Sequence, residues 1–227
     1  MNRIKKYTNL FYFNNVIFKL ARAILLLRNK SYRDLFFEIN KDDVCLDLGA
    51  NVGDASLIMW LKGAKYIYAI EPNYDVFNLL KKNLKGIKNV SFFNIAISSK
   101  KGTQKLFLHQ LIKDKFDKHK IIKLSQASSL LEDKSNLGDC FYEVKTLTFK
   151  DLFNKLKIKP TFIKCDIEGG EYIIYDQLID IAKSKTIRKI FVECHAKKYP
   201  QYREVNIEFI DLINKNNLNN IFDTKWQ

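Results

Sequence analysis

Three short stretches of this sequence hold side chains able to do chemistry at strand ends. The first is Asp43-Val44-Cys45-Leu46-Asp47-Leu48-Gly49-Ala50-Asn51-Val52-Gly53, an apolar run that ends on an acid and breaks into a glycine turn. The free N–H groups of the helix that such a turn opens favour a carboxylate or a phosphate. Gly49 can take a turn conformation closed to other residues, and Gly53 lets the next helix pack closely. The second is Ala69-Ile70-Glu71-Pro72, with Glu71 18 residues past Gly53. An acid there can accept both hydroxyls of a ribose. The third is Lys164-Cys165-Asp166-Ile167-Glu168-Gly169-Gly170-Glu171, answered further on by Glu193-Cys194-His195. Open α/β sheets bind their ligands at such carboxyl strand ends.

Glycine spacing separates two ligand families. A dinucleotide turn needs G-x-G-x-x-G, whereas here Gly49 and Gly53 enclose Ala50-Asn51-Val52. The missing glycine removes the close backbone approach to a pyrophosphate, which disfavours a nicotinamide dehydrogenase. Asp47 to Gly53 followed by Glu71-Pro72 resembles instead motifs I and II of class I S-adenosylmethionine-dependent methyltransferases. The plain alternative is an uninvolved strand-to-helix turn.

These residues need a sheet to hold them. Val44 to Leu48 is apolar nearly throughout, as a strand buried on both faces should be. Strands then alternate with helices, which predicts a mainly parallel twisted sheet covered on both faces. The remaining strands are expected at Tyr66–Ile70, 90–97, Thr161–Cys165 and 189–194, with helices over 54–62, 73–84, 170–183 and 205–216. Pro72 is a good start signal for the second helix. Residues 1–40 form an N-terminal helical extension, a lid or packing element with an amphipathic helix over 9–28. The domain proper is 41–227. Within it, 98–147 is expected to be a hairpin-and-loop insertion on the substrate side.

Composition fits this organisation. The chain has 227 residues, 47% of them hydrophobic, enough for one α/β domain with a sizeable core. Four cysteines without a C-x-x-C, three of them in expected buried strands, read as reduced thiols of a cytosolic protein. No signal-peptide pattern opens the sequence. The longest apolar stretch, Val16 to Leu27, contains Lys19 and Arg22 and is too short to span a bilayer. The formal charge of +14 is concentrated early, at Arg3, Lys5, Lys6, Lys19, Arg22, Arg28, Lys30 and Arg33. Such a block suits an anionic membrane surface or a phosphate-bearing substrate, or is a solvated helix face.

With the third stretch included, the chain resembles the FkbM family of methyltransferases. That family carries K-[IC]-D-[IV]-E-G-x-E at the fourth strand and acid-x-His at the fifth, matched by Lys164 to Glu171 and by Glu193-Cys194-His195. The resemblance runs from about 43 to 215 and includes Ser128-Ser129-Leu130. It implies a Rossmann-like class I fold, S-adenosylmethionine as methyl donor, and O-methylation of small molecules, sugars or glycans. By position, Gly49, Ala50 and Asn51 would border the methionine portion, with Asp47 beneath and Gly53 closing the turn. Glu71 would bind the ribose, Asn94, Ile95 and Ala96 would border adenine, and Asp166 would face the reacting methyl. One departure stands out: the fold usually ends in an antiparallel strand pair, and only Asn220 to Trp226 follows the last helix here.

Methyl transfer from a sulfonium mainly requires alignment of donor and acceptor. A sugar hydroxyl also needs a base to take its proton. His195, with an ordinary pKa near 6.5, is the expected base. Asp166 and Glu168 compete for that role or orient the ring, while His109 and His119 carry weaker claims. A divalent metal held by Asp166, Glu168 and His195 is the second scheme, and metal-free base catalysis is the preferred one. Of the rivals, an RNA 2′-hydroxyl methyltransferase would suit the charge but lacks a clear catalytic lysine. A non-catalytic S-adenosylmethionine-binding scaffold would not need the acids and histidine at the third stretch.

Lys113, Lys115, Lys118, Lys120 and Lys123 in the insertion favour an anionic acceptor. The expectation is therefore a bacterial surface-glycan (capsule) sugar or a phosphoryl-type group on one. Residues 9–28 would make peripheral contact at the inner membrane face. Nucleic acid is not expected as a partner, and nothing in the sequence speaks to oligomeric state.

Overall fold

The structure is a computed structural model describing residues 15–114, 117–125, 128–131, 137–197 and 199–224. Two helices lead, α1 (Val16–Leu26) and α2 (Lys30–Glu38). The main chain of the fold begins with β1 (Val44–Leu48), α3 (Asp54–Lys62), β2 (Tyr66–Ile70), α4 (Tyr74–Asn83) and β3 (Val90–Phe93). A second, smaller unit follows: β4 (Ala96–Ile97), β5 (Gly102–His109), α5 (Lys118–Lys123), β6 (Leu137–Leu147) and α6 (Phe149–Lys155). The chain then returns through β7 (Phe162–Cys165), α7 (Glu171–Lys183), β8 (Lys189–Val192), α8 (Arg203–Lys215) and β9 (Phe222–Asp223).

The main sheet has the order β3-β2-β1-β7-β8-β9, and every pairing in it is parallel. All five residues of β1 are buried, which explains its run of apolar residues. One core packs Leu46, Leu48, Ile163, Ile190 and Phe209 on one face of the sheet. A second packs Cys45, Leu57, Ile67, Leu80 and Phe162 on the other. Chain order reverses between β1 and β7, the switch point at which an open α/β sheet offers a crevice. This is the α/β, Rossmann-like fold expected.

Three details differ from expectation. The strand expected over 90–97 is two strands in two sheets. After Phe93 the Asn94 amide donates to the carbonyls of Glu71 and Pro72, both at 2.9 Å. That pins the chain across the end of β2, and Ala96–Ile97 pairs with β6 instead. The sheet also ends on a short β9 parallel to β8 where an antiparallel pair was usual. Finally, the helix expected over 9–28 runs over Val16–Leu26, and residues 9–14 lie outside the described residues.

The N-terminal helices pack by burying Ala23, Leu26 and Leu35 with α3 residues. Two basic residues of α1 turn inward. Lys19 Nζ donates to the Lys85 carbonyl at 2.9 Å, and Arg22 pairs with Asp54 at the start of α3. The apolar Val16, Ile17, Leu20 and Ile24 face outward. α1 thus buries Ala23 and Leu26 beside Lys19 and leaves Val16, Ile17, Leu20 and Ile24 exposed. No helix among the described residues is long and apolar enough to cross a membrane.

Candidate active site

An open cleft lies at the carboxyl ends of β1, β2 and β7. The turn after β1 forms its floor. Gly49 has φ +72°, and a Cβ there would lie 1.9 Å from the Asp166 carbonyl oxygen. Glycine at 49 is therefore required by the close approach of the turn after β7, not by φ alone. Asn51 is also left-handed at φ +49°. Its side-chain oxygen accepts from the Val52 N–H at 2.7 Å and from Ser125 Oγ at 3.1 Å, which stabilises a conformation that Asn tolerates better than most residues.

Glu71 closes the next side. One carboxylate oxygen accepts from the Asn51 N–H at 2.9 Å and the other from the Asn73 N–H at 2.8 Å. Burial pushes the carboxyl up to about 7 even against those two donors. Each oxygen retains a lone pair for a further donor. Ile95, Ala96, Ile97, Leu106 and Leu130 supply an apolar wall.

Beneath the turn, Lys164 is 3% exposed. Its ammonium lies 3.3 Å from Asp47 and 3.5 Å from Asp166 and donates to the Gly49 carbonyl at 3.0 Å. Burial works against its charge, but Asp47 and Asp166 outweigh that and hold its pKa above the ordinary value. Asp47 is wholly buried and also accepts from Ser56 Oγ at 2.6 Å.

The third group gathers behind. Asp166 and Glu168 line the cleft from the turn after β7. Glu168 is left-handed at φ +55°, and its carbonyl accepts from Ser129 Oγ at 2.8 Å. Ser129 is itself tied to β5 by a backbone bridge to Phe107. His195 opens the turn after β8 and is 5% exposed. Its Nδ1 bonds the carboxylate of Glu171, the first residue of α7. Its Nε2 lies 3.6 Å from carboxylate oxygens of both Glu168 and Glu193. Burial would lower the His195 pKa, but the Glu171 bond and charge, with Glu168 and Asp166, carry it up to about 9. Glu193 is pushed up to about 7 by burial and by Asp166.

Gly49, Ala50, Asn51, Glu71, Ile95, Ala96, Asp166 and Glu168 all line one cleft. Asp47, Gly53, Asn94 and His195 do not line it. Asp47 acts through Lys164. Gly53 faces Leu80 and Leu84 of the neighbouring helix, and Asn94 pins the backbone behind Glu71. His195 stands one carboxylate away. Where an ordinary imidazole near 6.5 was expected, the Glu171 bond and charge, with Glu168 and Asp166, raise His195 to about 9. His109 accepts from the Leu111 N–H at 3.1 Å in the insertion.

Several lining residues were given no role from sequence: Tyr32 from α2, Ser125 and Ser128 from the insertion, and Lys164. Lys164 belongs to a motif already quoted. Tyr32, by contrast, gives no sequence signal, since α2 reaches the cleft only by packing on α3.

A parallel sheet with a cleft at its switch point, lined by an apolar wall and a buried acid, is the arrangement in which open α/β sheets bind ligands. The family model for the methyltransferase FkbM domain matches residues 47–217. The chain therefore belongs to the FkbM methyltransferase family. No curated protein matches it. Among solved structures, the YcgJ protein of Bacillus subtilis is similar over 70% of this chain and 46% of its own length, at 11% identity and a TM-score of 0.35. This chain thus spans about half of that protein. TrmK of M. capricolum, solved with S-adenosyl-homocysteine, is similar over 83% of this chain and 94% of its own, at 11% identity and a TM-score of 0.26. Scores at that level say nothing of ligand or activity.

Proposed function

We propose that this methyltransferase moves a methyl group from S-adenosylmethionine to a hydroxyl oxygen of a small, anionic sugar-type acceptor. The observation that supports it is the convergence, in one cleft, of the Gly49–Asn51 turn, the Glu71 carboxylate and the acids after β7. The residues fit such a donor. Glu71 retains acceptor capacity for two ribose hydroxyls. Ile95, Ala96 and Leu130 offer an apolar slot for a base. Ser128 Oγ, buried and without a hydrogen-bond partner among the described residues, offers a further polar contact.

S-adenosylmethionine supplies an electrophilic methyl on a sulfonium, so no group on the protein needs to activate the carbon. The protein's work is placement and the acceptor's proton. Gly49, Ala50 and Asn51 would hold the methionine part. Asp166, 3.5 Å from the Lys164 ammonium, faces the reacting end in this reading. Asp166, Glu168 and His195 handle the acceptor hydroxyl. His195 contributes from behind by positioning Glu168, because its own Nε2 starts protonated.

For the acceptor, the lysines of the insertion favour an anionic sugar, such as a nucleotide-linked precursor of a bacterial capsule. Lys118 is engaged with Asp75 at 3.6 Å, and Lys115 lies outside the described residues. Work at the inner membrane face would rest on the exposed Val16, Ile17, Leu20 and Ile24. The test is calorimetric titration with S-adenosylmethionine and separately with NAD, followed by transfer of labelled methyl to a panel of nucleotide sugars. Micromolar binding of the first ligand alone supports the reading. Binding of neither by folded protein overturns it.

A further inference from the structure

The groups behind the cleft are arranged for an ion. Asp166, Glu168 and His195 each bring one ligand atom, all within 4.8 Å of one another. His195 is nine-tenths buried, and its Nδ1 is occupied by Glu171. A carboxylate on the far nitrogen is what orients metal-ligating imidazoles. Its Nε2 is aimed among the acids and makes no hydrogen bond among the described residues. The oxygens of Glu168 and Glu193 stand 3.6 Å away, beyond direct hydrogen-bond reach. Two ligands of one small divalent ion sit about 3 to 4 Å apart, given bonds near 2.1 Å.

Charge points the same way. In this network of described residues, Asp47, Asp166, Glu168, Glu171 and Glu193 outnumber Lys164 and His195. Asp47 and Glu171 are fully buried against those two cations, and Asp166 and Glu168 line the cleft. A divalent cation is attracted to two carboxylates held this close.

We propose that Asp166, Glu168 and His195 bind a divalent cation, Mn²⁺ or Mg²⁺, at the acceptor end of the cleft. The two carboxylates suit these hard ions, and the imidazole favours Mn²⁺, the softer of the two. Three protein ligands leave positions for water and for oxygens of the acceptor. What the ion does there rests on the methyl-transfer reading: it lowers the pKa of a bound hydroxyl, whose proton passes to solvent. It also selects acceptors with two adjacent oxygens, such as a vicinal diol. His195 enters as neutral imidazole, its Nε2 proton displaced by the ion.

The experiment is titration of the metal-stripped full chain with Mn²⁺, following the free ion by electron paramagnetic resonance. One Mn²⁺ per chain is expected, bound at least tenfold more weakly by Glu168→Gln and by His195→Ala. Glu168→Gln keeps the side-chain shape, so it tests the site even where His195→Ala fails to fold. No binding up to millimolar Mn²⁺, or equal affinity in wild type and Glu168→Gln, overturns the site. Titration of the wild type with S-adenosylmethionine separates the two readings. Mn²⁺ binding without S-adenosylmethionine binding keeps the ion site and sinks the donor reading, and the reverse pattern does the opposite.

Discussion

Glu71 and Glu168 both follow parallel strands and both line the cleft, yet their surroundings differ. Each oxygen of Glu71 is met by a backbone N–H, at 2.9 and 2.8 Å, within one β-α-β run. Glu168 sits on a left-handed residue, secured by Ser129 from the insertion and facing His195 from another strand. The donor side is thus a finished hydrogen-bonded cradle before any ligand arrives. The acceptor side is a meeting of acids from separate elements that calls for something more.

The contrast breaks hardest at Lys164, which touches both sides. Lys164→Met leaves Asp47 buried without its cation, and removal of one partner of a buried pair costs about 3 to 5 kcal/mol. Urea denaturation should show that loss, and an unchanged midpoint would mean that Asp47 and Lys164 are not a buried pair. Gly49→Ala comes next. It combines left-handed strain with a clash against the Asp166 carbonyl, roughly 2 to 3 kcal/mol from strain alone. It should also disturb the acceptor side, so Mn²⁺ affinity is expected to fall with donor affinity. Loss of donor binding alone would show the two turns to be independent.

Glu71→Ala should weaken S-adenosylmethionine binding by about 2 kcal/mol, the scale of hydrogen bonds to a charged group. Calorimetry checks this, and unchanged affinity removes Glu71 from the site. A smaller effect is pH dependence. The folded Glu71 carboxyl is raised from 4.5 to about 7. Between those values the folded protein keeps a proton that the unfolded chain has lost, so donor-free stability falls as pH rises across that window. Hydroxyl donors favour the ionised form, so donor affinity should rise through pH 7 and level above it. Glu71→Gln should flatten both slopes.

The smallest effect lies outside both sides. Ile17→Ser with Ile24→Ser changes exposed positions and should move stability by no more than about 0.5 kcal/mol. Flotation with anionic vesicles should nevertheless weaken, and equal flotation would sink the membrane contact. Deleting α1 would be a poorer test, since Ala23 and Leu26 are core residues.

Local spacing made the donor side legible. Asp47 to Gly53 and Glu71 lie within one β-α-β run, and a glycine turn at a strand end has one geometric outcome. Fold class was legible for the same reason, through buried apolar strands alternating with helices. Four matters were not. The split of 90–97 into two strands depends on Asn94 reaching carbonyls that only the β2 end presents. The outward apolar face of α1 depends on Lys19 and Arg22 finding Lys85 and Asp54. Tyr32 entered the cleft through helix packing. The raised proton affinity of His195 depends on Glu171, a residue 24 positions away in sequence.

The sequence by itself determined the parallel sheet, the glycine turn, the acids at strand ends and membership of the FkbM family. These follow from residue type and short-range spacing, which set burial and backbone conformation directly. Tertiary structure alone decided which acids face the cleft and which lie beneath it, which nitrogen of His195 points at Glu168, and that Asp47 serves Lys164. Those depend on distances between separate strands, and charge interactions vary steeply with distance and burial, neither of which is written in residue order.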